Sequence, residues 1–105
     1  MSYSVYVIEL DPAVRQHKRF MEKNPEQDTS KPCLYVGHTV LTPQQRLANH
    51  RRGHKGSSYV KRYGRGLVPA LYIEFNPVAS RQVAELTEAQ LAVKLRIEGY
   101  AVWQA

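Results

Sequence analysis

A chain of 105 residues is long enough for one domain with its own core and too short for two of ordinary size, so residues 1–105 read as a single domain. Fifteen Lys and Arg against nine Asp and Glu give a formal charge of +6, which favours polyanionic partners, nucleic acid ahead of an acidic membrane surface. The lone Cys33 excludes an internal disulfide, no apolar run approaches the roughly 20 residues that span a bilayer, and residues 2–10 read as too short for a signal peptide; the expectation is a soluble, cytoplasmic protein with no membrane partner.

In chain order, residues 3–10 (YSVYVIEL) are rich in β-branched and aromatic side chains and predict a strand. Asp11-Pro12 is a helix-start signal and predicts a short helix to about Glu22. Residues 23–32 are polar, contain Pro and lack periodicity, which predicts a surface loop. CLYVGH (33–38) predicts a second strand, with Cys33 as a buried, inert thiol. Thr42-Pro43-Gln44-Gln45 carries a capping-box pattern and predicts a helix from Pro43 to about Arg52, stopped by Gly53.

Residues 50–66 (HRRGHKGSSYVKRYGRG) interleave basic, aromatic and small side chains, as a phosphate-facing surface would, and predict loop plus a short helical turn. LVPALYIEF (67–75) predicts a third strand, broken by Asn76-Pro77. Ser80 predicts the cap of the longest helix, running to Ile97 and ended by Gly99; YAVW (100–103) predicts a short final strand or packed tail. The order of elements predicts a small α+β domain: a mostly antiparallel sheet of about three strands flanked by helices, with a helical insertion at 11–32 between the first two.

Four stretches fall in the order and setting of the GIY-YIG nuclease superfamily, which this chain resembles over nearly its whole length: Ser4-Val5-Tyr6, Tyr35-Val36-Gly37 followed by His38-Thr39, Arg46-Leu47-Ala48-Asn49-His50, and Ala84-Glu85-Leu86-Thr87-Glu88. The resemblance implies a GIY-YIG-like fold and an endonuclease that hydrolyses phosphodiester bonds with Tyr6, Tyr35, Arg46, His50 and Glu88. It further implies Mg2+ or Mn2+ on Glu88, and nucleic acid as substrate, DNA ahead of RNA. Three departures stand out: Ser4 replaces the Gly that opens the first motif, residues 11–32 separate strands that the family joins tightly, and no Asn follows Glu88, a place that Gln104 is available to fill.

Physical chemistry gives these residues roles in parallel. Arg46 and His50 stand one helical turn apart, so a guanidinium and an imidazole can address one phosphate; two solvated polar residues is the plain alternative. Tyr6 and Tyr35 suit either core positions with a hydroxyl at the rim or, in the family reading, activation of water. We favour Tyr6 as the base with His50 taking its proton, because a phenol of pKa near 10 is a poor base unaided. Tyr35 then orients water or phosphate, and the exchanged assignment stays open. Glu88 aligns with Ala84, Leu91, Ala92 and Leu95, which places its carboxylate among apolar neighbours in need of a partner such as a divalent cation; if instead Val83, Leu86, Val93 and Ile97 are core, Glu88 is exposed.

His38, Lys55, Tyr59, Lys61, Arg62 and Arg65 are the candidate nucleic-acid contacts, and His50 with His54 makes only a weak zinc pair. The five active-site groups are expected to meet in a single pocket. A catalytically inactive nucleic-acid-binding module of the same fold is the main alternative. A homodimer, or an interaction domain docking a protein through residues 11–32, is a further one.

Overall fold

The chain's apolar strands pair centrally and its amphipathic helices cover them from both sides. The structure is a computed structural model that describes residues 2–53 and 56–105. Strands β1 (Ser4–Leu10) and β2 (Cys33–Thr39) form the buried centre, with β3 (Gly64–Leu67) beside β1 and β4 (Ala101–Gln104) beside β2, in the order β3-β1-β2-β4. The class is α+β, as expected. The sheet, however, has four strands and is mixed: β1 pairs antiparallel with β2 and β3, whereas β4 runs parallel to β2.

The predicted third strand is displaced. Pro69 has no N–H to offer a ladder, so residues 69–71 and 73–75 coil into two short 3-10 turns. The strand forms instead from the glycine-bearing GRGL, with Gly66 opposite Glu9 and Leu67 opposite Ile8. The predicted helix at 12–22 also divides, into a 3-10 turn (Pro12–Gln16) and helix α1 (Lys18–Glu22). Between them His17 is extended, and its ring bonds the Tyr63 hydroxyl at 2.7 Å.

Helix α2 (Pro43–Arg51) starts on the expected capping box, the Thr42 hydroxyl accepting from the Gln45 N–H while the Gln45 side chain accepts from the Thr42 N–H. Helix α3 (Ser58–Tyr63) follows, capped by Ser57. Helix α4 (Arg81–Ile97) starts on the Ser80 hydroxyl. Gly53 (φ 75°) and Gly99 (φ 101°) take the left-handed conformation that ends α2 and α4 at low steric cost.

Helix α4 buries Ala84, Glu88, Leu91, Ala92 and Leu95. The rival stripe stays in solvent, with Val83 49% and Ile97 80% exposed. The insertion is more than a surface excursion. Asn24 is 3% exposed; its side chain accepts from the Val102 N–H at 2.7 Å and donates to the Val102 carbonyl at 3.0 Å, covering the outer edge of β4 as a neighbouring strand would. No helix among the described residues is long and apolar enough to cross a membrane.

Candidate active site

Strand register fixes which side chains can meet. Tyr6 lies opposite Gly37 and Ile8 opposite Tyr35, so Tyr6 and Tyr35 share one face of the sheet, diagonal neighbours with ring centroids 6.3 Å apart. Helix α2 lies over this face and directs the fully buried His50 at the pair: its Nε2 is 2.9 Å from Tyr6 Oη and its ring packs edge-on against Tyr35 at 5.4 Å. Arg46 hydrogen-bonds the Tyr6 hydroxyl and acts electrostatically on Tyr6, Tyr35 and His50.

The Ser57 N–H donates to His50 Nδ1 at 2.9 Å. A neutral imidazole carries one proton, so with Nδ1 accepting, that proton is on Nε2 and points at Tyr6. Burial, reinforced by Arg46, lowers the His50 pKa from 6.5 to about 4, so the ring is neutral at physiological pH. This reverses the relay expected from the sequence. His50 has no lone pair facing Tyr6, and it donates to the phenol rather than taking its proton. Ser57, which fixes this tautomer, was not among the sequence candidates; a helix-capping Ser seven residues beyond the His is the only trace it leaves.

Burial raises the Tyr6 pKa, and Tyr35 and Glu88 raise it further, while Arg46 works the other way. Tyr35 is raised in the same manner, burial first, with Glu88 adding and Arg46 opposing. Both are therefore phenols at rest. Gly37 is what lets Tyr6 lie flat on β2: a Cβ there would come within 2.6 Å of Tyr6 Oη and 2.8 Å of Cζ.

Glu88 approaches from the other side. His38 is opposite Val5 and Gln104 beside Val36, one strand position out of phase with the tyrosines, so both face α4. The Glu88 carboxylate accepts from His38 Nδ1 on Oε1 at 2.8 Å and from Gln104 Nε2 on Oε2 at 2.9 Å. The single pocket expected from the sequence is thus two half-sites, Tyr6–Tyr35–His50–Arg46 on one face and His38–Glu88–Gln104 on the other. They adjoin where Gly37 and His38 follow one another on β2, and the charge of Glu88 still acts on both phenols.

Among the described residues no group of three His, Cys, Asp or Glu could cage a metal. Glu88 nonetheless fits a hard cation of the Mg2+ kind, which takes one or two carboxylates and completes its shell with water and phosphate oxygens. Each Glu88 oxygen receives one donor and keeps a second lone pair, and the two donors orient the carboxylate as outer-shell partners do.

The nucleic-acid candidates scatter. His38 is spent on Glu88. Tyr59 packs into a ring cluster with His17 at 5.2 Å and Trp103 at 4.9 Å. Arg65 pairs with Asp11 at 3.1 Å and Glu9 at 3.7 Å. Lys61 and Arg62 are exposed on α3, while Lys55 and His54 lie outside the described residues. No protein-family model, curated protein or solved structure matches the chain.

Proposed function

We propose that this protein is a divalent-metal-dependent endonuclease of the GIY-YIG type, with a GIY-YIG-like sheet and helices around Tyr6, Tyr35, Arg46, His50 and Glu88. The observation that carries the reading is the Tyr6 hydroxyl: two donors, His50 Nε2–H and Arg46, converge on one buried phenol oxygen that also feels Glu88. Core tyrosines need one partner for their hydroxyl; a neutral imidazole and a guanidinium together stabilise negative charge on it.

In this reading Tyr6 and Tyr35 hold the attacking water, His50 and Arg46 offset charge developing on Tyr6 and the phosphoryl oxygens, and Glu88 is the ligand for Mg2+ or Mn2+. The bound cation supplies Lewis-acid polarisation of the scissile phosphate. The substrate is nucleic acid, DNA ahead of RNA, held partly by the exposed cations of α3.

The test is incubation of purified protein with branched, single-stranded and duplex DNA and RNA, with and without Mg2+. Nicking that requires the cation and disappears in Glu88→Gln supports the reading; undiminished nicking by that variant removes the metal assignment.

One observation favours a second reading, a nucleic-acid-binding module without turnover: Glu88 is 3% exposed, both its oxygens already have donors, and it lies across the sheet from the tyrosines. Binding of the same panel without cleavage under any divalent cation selects that alternative.

A further inference from the structure

Beside β4, the insertion, the strand and the end of α4 border an open cleft of about 450 Å³ lined by Arg19, Lys23, Arg96, Trp103, Gln104 and Ala105. That volume is in the range of small-ligand sites. Three of the lining side chains are cationic and none is acidic. Arg19 and Lys23 are exposed on and just after α1, one turn apart on the same side, while Arg96 is tied down by bonds to Asn24 Oδ1 and the Val102 carbonyl.

Trp103 is a half-buried indole braced on its inner side by Phe20, stacked at 6.4 Å, and by Tyr59, edge-on at 4.9 Å. Its ring therefore stands as a fixed platform at the wall of a basic cavity. The cavity reaches one half-site through Gln104 and lies one strand over from the other. Trp103 is the register partner of Tyr35, and Gln104 donates to Glu88.

We propose that this cavity binds an unpaired nucleotide of the substrate strand next to the scissile phosphate, with the base on Trp103 and the adjoining phosphate on Arg19 and Lys23. The insertion at 11–32 is then a substrate-reading element, because it supplies two of the three cations and the Phe20 brace. A base in a duplex has both faces stacked and its phosphates outside, whereas an unpaired base offers a face to an aromatic ring while the backbone tracks the cations. The inference rests on the nucleic-acid substrate of the proposed function but not on cleavage.

Trp103 is the only tryptophan, so its emission, excited where tyrosine does not absorb, reports this cavity alone. The experiment titrates the full chain with a short deoxythymidylate oligomer and with a blunt duplex of the same length, in EDTA so that nothing is cut. The expected result is saturable quenching by the single strand, and roughly tenfold weaker binding with a shallower salt dependence for Arg19→Ala/Lys23→Ala. Both replaced residues are exposed, and an unchanged melting curve confirms that the variant folds.

Absence of quenching, equal affinity of variant and wild type, or equal quenching by the duplex overturns the proposal. The companion cleavage assay with Mg2+ separates the two ideas. Quenching without cleavage leaves the cavity and removes the enzyme, and cleavage without quenching does the reverse.

Discussion

Acid should loosen this fold through His50 before it reaches the carboxylates. The unfolded chain binds a proton on His50 near pH 6.5, whereas the folded chain resists until about pH 4. Between those values the unfolded state holds more protons, so the stability from keeping His50 neutral is complete above pH 6.5 and is lost as pH falls towards 4. Two and a half pH units at 1.36 kcal/mol each set an upper size of roughly 3 kcal/mol. The structural cause is specific. A protonated ring would turn an N–H on Nδ1 against the Ser57 N–H that now donates to it. The assay is urea denaturation at several pH values between about 7 and 4, comparing wild type with His50→Gln, whose side chain does not titrate. The variant should be less stable at pH 7 and should lose less on acidification, the two curves converging near pH 4. Parallel curves across that window would refute the assigned tautomer and burial.

Gly37→Ala should cost about 1–3 kcal/mol by overpacking against Tyr6, which is 1% exposed and cannot retreat; a thermal melt lowered by less than about 2 °C would contradict the contact. Asn24→Ala should cost about 1–3 kcal/mol, since it strands the Val102 N–H at the sheet edge while the Val102 carbonyl keeps its bond from Arg96, and hydrogen exchange at Val102 should rise more than at Val7. Tyr6→Phe should reduce any Mg2+-dependent nicking by at least about 100-fold while leaving single-strand binding within twofold; retained nicking would take Tyr6 out of the chemistry.

Local signals carried far along this chain. The capping box at Thr42, the Ser80 cap and the glycine stops at Gly53 and Gly99 depend on neighbours within a few residues, and all are found. The helical phase of α4 separated Ala84, Glu88, Leu91, Ala92 and Leu95 from Val83, Leu86, Val93 and Ile97 by periodicity alone, and the buried set is the one containing Glu88. What stayed hidden depends on distant partners. The GRGL strand has no β-propensity of its own and exists because Ile8 and Glu9 present an open ladder. The parallel pairing of Ala101–Gln104 on Cys33–Val36 joins segments that share no local signature, and Asn24 was unreadable because its partner, Val102, is 78 positions away.

The division of the site into two faces was within reach of parity. Tyr35 and Gly37 lie two positions apart and face together, whereas His38 lies three from Tyr35 and must face away. Once His38 meets Glu88, the carboxylate belongs to the face opposite the tyrosines, whatever the helix does. Chemistry that needs both must therefore occur at the rim where the sheet stops separating them. Strand β4 reaches Gln104, level with Val36, and the Ala105 N–H still bonds the Val36 carbonyl at 2.9 Å. Gly37, the next residue along β2, is the one whose missing side chain leaves room for the Tyr6 hydroxyl. On the proposed function, Gly37 and His38 mark where a phosphate would be approached by the phenols from one face and by the carboxylate from the other, because neighbouring positions of β2 point to the two half-sites.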